Sequence, residues 1–271
     1  MYQLTNHELT VDILDPMADQ ARFGVRYCTG GYIYQVTDDQ KGALLTGPTY
    51  PDSFNWFDGQ GIPDAFNWSP LRQPQGSDSE VYIIGIGRCD LTTKQVLEFC
   101  QWDIEASPTA IQMKTHPTFA EFDFTLQRTV TLKERTVRSH TVITNHGNTF
   151  IPIAWFPHPF YPQPKTNELC RLSIPLSMPE NEGYVMADNG FITRKAWPEQ
   201  AGFYQALDHQ AQNPVTITQR HPVLGMVSAS CSYVPTFFPI WGNQNTFSWE
   251  PFFERIIAPS QSLSWWIDYD F

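Results

Sequence analysis

Two residues carry the clearest chemical signal in the chain: His158, in the run AWFPHPFYP, and Glu250, in the run FSWEPFFERIIAPSQSLSWWIDYDF. A histidine titrates near neutral pH and a carboxylate well below it, so the two together can give a proton to one oxygen while removing one from another. That is the minimum equipment for opening and closing a sugar ring. Both stand beside prolines and among tryptophans and phenylalanines, surroundings that exclude water and offer faces on which a sugar can stack. Each also has a plainer reading. His158 would otherwise be a core histidine satisfied by a backbone carbonyl, and Glu250 a strand-ending carboxylate beside Pro251, paired with Arg255. A glutamate buried without a partner is costly, so Glu250 is exposed, paired or employed.

The elements that must position these residues are strands. Helical periodicity is nearly absent, and strand-like alternation recurs from end to end, which predicts an all-β chain. Between Thr125 and Phe156, Leu126, Val130 and Leu132 alternate with polar residues, and Val137, Val142 and Ile143 follow, so this stretch reads as a meander. Its turn is TNHGNT, in which Asn145, Gly147 and Asn148 adopt positive φ cheaply and His146 is a turn residue. Further strands are expected near Leu9, Tyr32, Val81, Val96, Ile111, Leu172, Val215, Val227 and Phe247, and in the closing SLSWWIDYDF. Most of the prolines fall between these runs, where a missing N–H is tolerated. The segment from Gly47 to Gly76 is long, aromatic and strand-poor, the kind of loop that serves as a lid or a binding wall or else carries structure its pattern does not reveal. With no internal repeat, low-complexity tract or linker, residues 1–271 are expected to form one domain of large packed antiparallel sheets rather than a propeller.

Charge narrows the partners. Acidic residues number 28 against 17 basic ones, and the basic residues form no cluster along the chain. Nucleic acid needs a concentrated cationic surface and an anionic membrane needs the same, so neither is an expected partner; a neutral small-molecule carbohydrate is compatible. No run approaches the ~18 apolar residues of a membrane-spanning helix. The N-terminal MYQLTNHELTVDILDP lacks a basic segment followed by an apolar one, so a cytoplasmic location is expected. Cys28, Cys89, Cys100, Cys170 and Cys231 are scattered singly, which predicts reduced, buried thiols rather than disulfides or a zinc site. The short GIG and TGG runs lie outside any strand-to-helix context and make no phosphate loop.

On the residues above, the chain resembles the aldose 1-epimerase, or galactose mutarotase-like, superfamily. TVTLKERTVRSHTVITNHGNTFIPIAWFPHPFY is similar to the family's strand, Asn-Gly turn, strand and histidine-proline-aromatic sequence, and SWEPFFERIIAPSQSLSWWIDYDF to its closing glutamate-proline motif, loop and last strand. The resemblance implies a β-supersandwich enzyme needing neither cofactor nor metal; an acidic chain with exposed strand edges is compatible with a monomer or a homodimer. The resemblance also implies that His158 protonates the ring oxygen and Glu250 removes the C1 hydroxyl proton of an aldose or sugar phosphate. The family's first-half Asn-Arg and His-Gly motifs, which hold the sugar hydroxyls, are both missing. Candidate substitutes are Arg72, Arg88 and Arg26, whose planar donor fork suits vicinal hydroxyls or a phosphate, although each is equally well a surface or ion-pairing arginine. Trp56 and Trp68, which flank DGQGIPDAFN, are the candidate sugar platforms, with core packing or loop anchoring as their plainer use. Asp58, Asp64 and Asp188 are possible hydroxyl acceptors, and His116, His140, His209 and His221 have no assigned role. The expected function is therefore an aldose 1-epimerase-like isomerase. Its rivals are a hexose-6-phosphate 1-epimerase, which needs at least two of these arginines at one pocket rim, and a non-catalytic sugar-binding or regulatory protein on the same scaffold.

Overall fold

Period-two burial builds the largest sheet. Along Phe122–Lys133 the inward residues are Phe122, Phe124, Leu126, Arg128, Val130 and Leu132; the adjacent strand Thr136–Asn145 turns Val137, Ser139, Thr141, Ile143 and Asn145 the same way. The computed structural model describes residues 1–50, 52–74, 79–195 and 202–271, and among these there is no α-helix, only a 3-10 turn at Gln20–Arg22. Every strand pairing is antiparallel. The large sheet continues from Thr136–Asn145 to the last strand, Ser262–Asp270, and then to Gly225–Cys231, Thr216–His221 and Glu168–Leu172. Strands form at each of the positions expected from the sequence.

The meander expected over residues 125–156 is only half correct. Its first two strands pair, but Ile151–Pro157 leaves the sheet and lies between Phe253–Ile257 and Asp64–Ala65. The vacated edge of Thr136–Asn145 is taken by Ser262–Asp270, whose inward Trp265, Ile267 and Tyr269 supply the apolar face that edge requires. The connecting turn also closes differently. None of its residues takes positive φ. The buried Asn145 accepts from the Gly147 N–H and donates to the carbonyls of Thr149 and Ile257. Gly147 is needed for space, since a Cβ there would meet the Glu121 carbonyl oxygen at 3.1 Å.

Two smaller sheets frame the site. One is the three-stranded unit containing Ile151–Pro157. The other runs Tyr161–Pro162, Thr246–Trp249, Phe238–Gly242, Phe203–His209 and Leu176–Ser177. Against the main core lies a second buried cluster of Leu14, Phe23, Tyr27, Tyr32, Ala65, Phe156 and Phe252. Within it Phe156 and Phe252 stack at 4.3 Å between ring centroids.

One inward position of the large sheet carries a charge. Arg128 is 1% exposed and is held by Asp64, Thr141, Ser139 at 3.3 Å and the Gly30 carbonyl at 3.2 Å. Asp64 is therefore an internal counter-ion rather than an exposed loop acceptor, and the pair ties the large sheet to the short strand beside Ile151–Pro157.

Candidate active site

His158 follows directly on the strand Ile151–Pro157, where its backbone N–H donates to the Pro63 carbonyl at 2.8 Å. Glu250 follows directly on Thr246–Trp249, with its N–H donating to the Pro239 carbonyl at 3.0 Å. Each side chain thus sits where a strand has just ended and its main chain is fixed by a neighbour. Strand alternation then selects what faces the imidazole. Ser248 and Glu250 point to it, while the intervening Trp249 turns away and donates its indole N–H to Gln219 at 2.8 Å.

The imidazole is held from both sides. Its Nδ1 lies 2.7 Å from the Ser248 hydroxyl, and its Nε2 lies 3.3 Å from Glu250 Oε1. The Phe160 ring packs on it at 4.4 Å between centroids. Ser248 is fully buried, His158 is 3% exposed and Glu250 8%. A serine, a histidine and a carboxylate in line are also the parts of a hydrolase triad, yet here the order relative to solvent is reversed. The serine lies at the closed end and the carboxylate at the open end, so no substrate carbonyl can reach the hydroxyl.

Burial pushes both titrating groups toward their neutral forms. It drives the His158 pKa well below the usual histidine value, with the Arg26 guanidinium adding to the effect. It raises the Glu250 carboxyl to about 8, which Arg26 partly offsets. At neutral pH the two therefore hold one proton between them. A single proton hop interconverts imidazole with carboxylic acid and imidazolium with carboxylate.

The pair forms the floor of a cavity of about 780 Å³. Among the described residues Arg26 is the one cation in its lining; the guanidinium lies over the rings of Tyr27 and Phe57 and donates to the Phe57 carbonyl at 2.8 Å. The carboxylates of Asp52, Asp58 and Glu250 share that lining. Asn67 also faces the cavity, and its buried Oδ1 has no hydrogen-bond partner among the described residues, which makes it an acceptor available to a ligand hydroxyl. The wall from Pro48 to Trp68 comes from the long aromatic segment expected to be a lid, a binding wall or unrecognised structure, and the segment also carries the short strands Asp64–Ala65 and Leu71–Arg72; Pro51, Gln75 and Gly76 of that stretch lie outside the described residues. The Asn243 and Asn245 side chains both donate to the Pro48 carbonyl, at 3.1 and 2.7 Å, fastening this wall to the turn before Thr246–Trp249.

The structure sorts the sequence candidates. His158, Glu250, Arg26 and Trp68 converge on the cavity, whereas Arg72, Arg88 and Trp56 are not in its lining. Arg88 is exposed on Gly87–Asp90 and paired with Glu80 at 2.7 Å and Glu98 at 3.2 Å. Arg72 is exposed on the short strand Leu71–Arg72. Trp56 packs on Gly24 so closely that a Cβ there would meet the indole at 2.3 Å, making it a loop anchor. Arg255 does not pair with Glu250; it is exposed and donates to the Glu254 carbonyl. His146 lies in the turn, bonded to Thr125. All five cysteines are free and buried, and no group of three or more His, Cys, Asp and Glu among the described residues is arranged to hold a metal. No helix of the described residues is long and apolar enough to cross a membrane.

Sequence reasoning missed Ser248, Asn67, Tyr204 and the two asparagines that clamp Pro48. Ser248 was accessible, because it stands two residues before Glu250 in a strand. The others depend on pairings between distant segments.

No protein-family profile and no curated protein sequence matches the chain. Solved structures do. A galactose mutarotase related enzyme from Lactobacillus acidophilus superposes with a TM-score of 0.65 at 10% identity, covering 99% of this chain and 96% of that one. A galactose mutarotase-like protein from Lactobacillus casei gives 0.58 at 14% identity, over 100% and 99%. An aldose epimerase homologue from C. elegans gives 0.51 at 12% identity, over 99% and 97%. The chain has the galactose mutarotase-like fold along its whole length.

Proposed function

We propose that the chain, acting as one domain, is an aldose 1-epimerase-type isomerase that interconverts the anomers of a neutral sugar. The observation carrying this reading is the His158–Glu250 contact of 3.3 Å at the floor of an open cavity. Both groups then reach one bound hemiacetal, where the ring oxygen and the anomeric hydroxyl are attached to the same carbon. The His158 imidazolium gives its Nε2 proton to the ring oxygen as the C1–O5 bond breaks, and the Glu250 carboxylate takes the proton of the C1 hydroxyl. The electron pair of the O–H bond becomes the second C–O bond of the free aldehyde. Rotation about C1–C2 presents the other face. The C5 hydroxyl then attacks C1 as it returns its proton to His158, and Glu250 protonates the new anomeric oxygen. The pair ends with the one proton it began with, so the cycle needs no further proton donor.

Ser248 suits this alternation. A hydroxyl both donates and accepts, so it can accept the Nδ1 proton of the imidazolium or donate to Nδ1 when that nitrogen is bare. It adds no charge behind the ring. A carboxylate in the same place would favour imidazolium throughout, whereas His158 has to serve as acid on opening and as base on closing.

Among the described residues a single cation, Arg26, lines the cavity beside three carboxylates, which favours a neutral sugar over a sugar phosphate, since the latter calls for a cationic pocket. The test is anomer exchange by saturation-transfer NMR with glucose, galactose and a hexose 6-phosphate, for the wild type and Glu250→Gln. Accelerated exchange of a neutral sugar that disappears in the variant is expected. Binding of a sugar without accelerated exchange would instead assign the chain a non-catalytic sugar-binding role.

A further inference from the structure

The cavity is larger than one pyranose needs. At about 780 Å³ it lies within the ~300–1,000 Å³ that houses drug-sized ligands. The pair at its floor fixes how a sugar must enter. The anomeric carbon and ring oxygen face His158 and Glu250, so the opposite edge of the ring, with its remote hydroxyls, faces the mouth.

That mouth is lined by aromatic rings that the fold leaves bare. Trp68 is 58% exposed, Tyr204 55% and Phe57 49%; Phe57 and Trp68 come from the cavity wall and Tyr204 from the strand Phe203–His209. Trp68 is not a loose surface residue. Its inner side rests on Phe252 at 4.7 Å and Phe156 at 6.0 Å between ring centroids, so the indole is braced and its outer part is free. Braced, exposed rings beside carboxylates suit the mixed surface of a carbohydrate, with C–H faces for the rings and hydroxyls for Asp52 and Asp58.

We propose that the mouth is a second sugar subsite and that the preferred substrate is a reducing disaccharide or longer saccharide. Its reducing-end ring lies on the pair, and the next unit, linked through a hydroxyl remote from the anomeric carbon, lies against Trp68 and Tyr204. The inference rests on the epimerase reading for the placement of the reducing end. A monosaccharide reaches the floor and leaves the rim rings uncovered.

Two readouts separate the subsite from the chemistry. The first is anomer exchange on glucose, maltose and cellobiose. A disaccharide kcat/KM at least about tenfold above that of glucose is expected, and Trp68→Ala lowers this preference about tenfold, mainly through the disaccharide KM. Tyr204→Ala provides the same reading should the tryptophan variant fail to fold. Equal kcat/KM for all three sugars, with neither variant altering the ratio, overturns the subsite. The second readout is binding of maltose and cellobiose to Glu250→Gln by saturation-transfer difference NMR. Contacts to both sugar rings, weakened by Trp68→Ala, support the subsite even if no sugar exchanges faster and the epimerase reading fails; contacts to one ring alone overturn it.

Discussion

Two histidines in this protein are equally buried, at 3% exposure each, and have opposite surroundings. His221 is saturated by main chain. Its Nε2 donates to the Leu44 carbonyl at 2.9 Å, and its Nδ1 accepts from the N–H groups of Val223 at 3.2 Å and Leu224 at 3.1 Å. That network permits one tautomer and leaves nothing to offer a ligand. His158 has a side chain at each of its two nitrogens, a serine behind and a glutamate in front, and both partners can change their hydrogen-bonding role. Burial alone therefore does not distinguish a structural histidine from a reactive one; the freedom of its partners does.

The sharpest contrast is expected in rate. Glu250→Gln and His158→Asn should each slow anomer exchange by about 10²–10⁴-fold, the scale of a lost acid or base, whereas His221→Asn should leave kcat within about twofold. Loss of exchange in a folded His221 variant would erase the distinction. Exchange is to be measured at a temperature where circular dichroism shows all three variants folded.

Stability should respond to pH next. The Glu250 carboxyl is raised to about 8 in the fold from an ordinary 4.5, so the folded state keeps a proton that the unfolded chain has lost. Its contribution is complete below about pH 4.5 and declines as pH rises to about 8. His158, depressed by burial, acts in the opposite direction, costing stability as pH falls below its ordinary 6.5. Between pH 6.5 and 8 the carboxyl should dominate, with a net loss of about 1 kcal/mol. Denaturation midpoints at the two pH values, for wild type and Glu250→Gln, check this; an equal decline in the variant would locate the effect elsewhere.

His221→Ala strips a buried carbonyl and two N–H groups of their partner and should cost ~1–2 kcal/mol by urea unfolding, with the KM for sugar unaltered. The smallest effect is expected at Ser248. Ser248→Ala should lower kcat about tenfold and displace the acidic limb of its pH profile, while Ser248→Thr, which keeps the hydroxyl, restores most of the rate. A pH profile unmoved by the alanine would reduce Ser248 to packing.

How much of this was legible follows the physics of each residue. Strand alternation exposed Leu126, Val130 and Leu132 of the inward stripe, and the proline and aromatic frames drew attention to His158 and Glu250. Alternation could not show that Ile151–Pro157 changes sheets, because pairing partners are chosen by competition among edges and the decisive competitor, Ser262–Asp270, lies at the far end of the chain. Three arginines were equivalent as letters. Only the fold shows that Arg88 is occupied by Glu80 and Glu98 while Arg26 stands in the cavity. Arg128, the most deeply buried charge, gave no signal of its own, since its meaning depends on Asp64, supplied by a distant short strand.

The two asparagine side chains that hold the cavity wall grip a carbonyl of the main chain. A main-chain grip is blind to side-chain identity. Wall residues that only line the cavity, such as Asp52 and Ser53, can therefore be exchanged, by natural drift or by design, while the wall keeps its attachment to the hairpin that delivers Glu250. Ligand preference and proton chemistry are thereby separately adjustable, one written in the loop and the other in the strands.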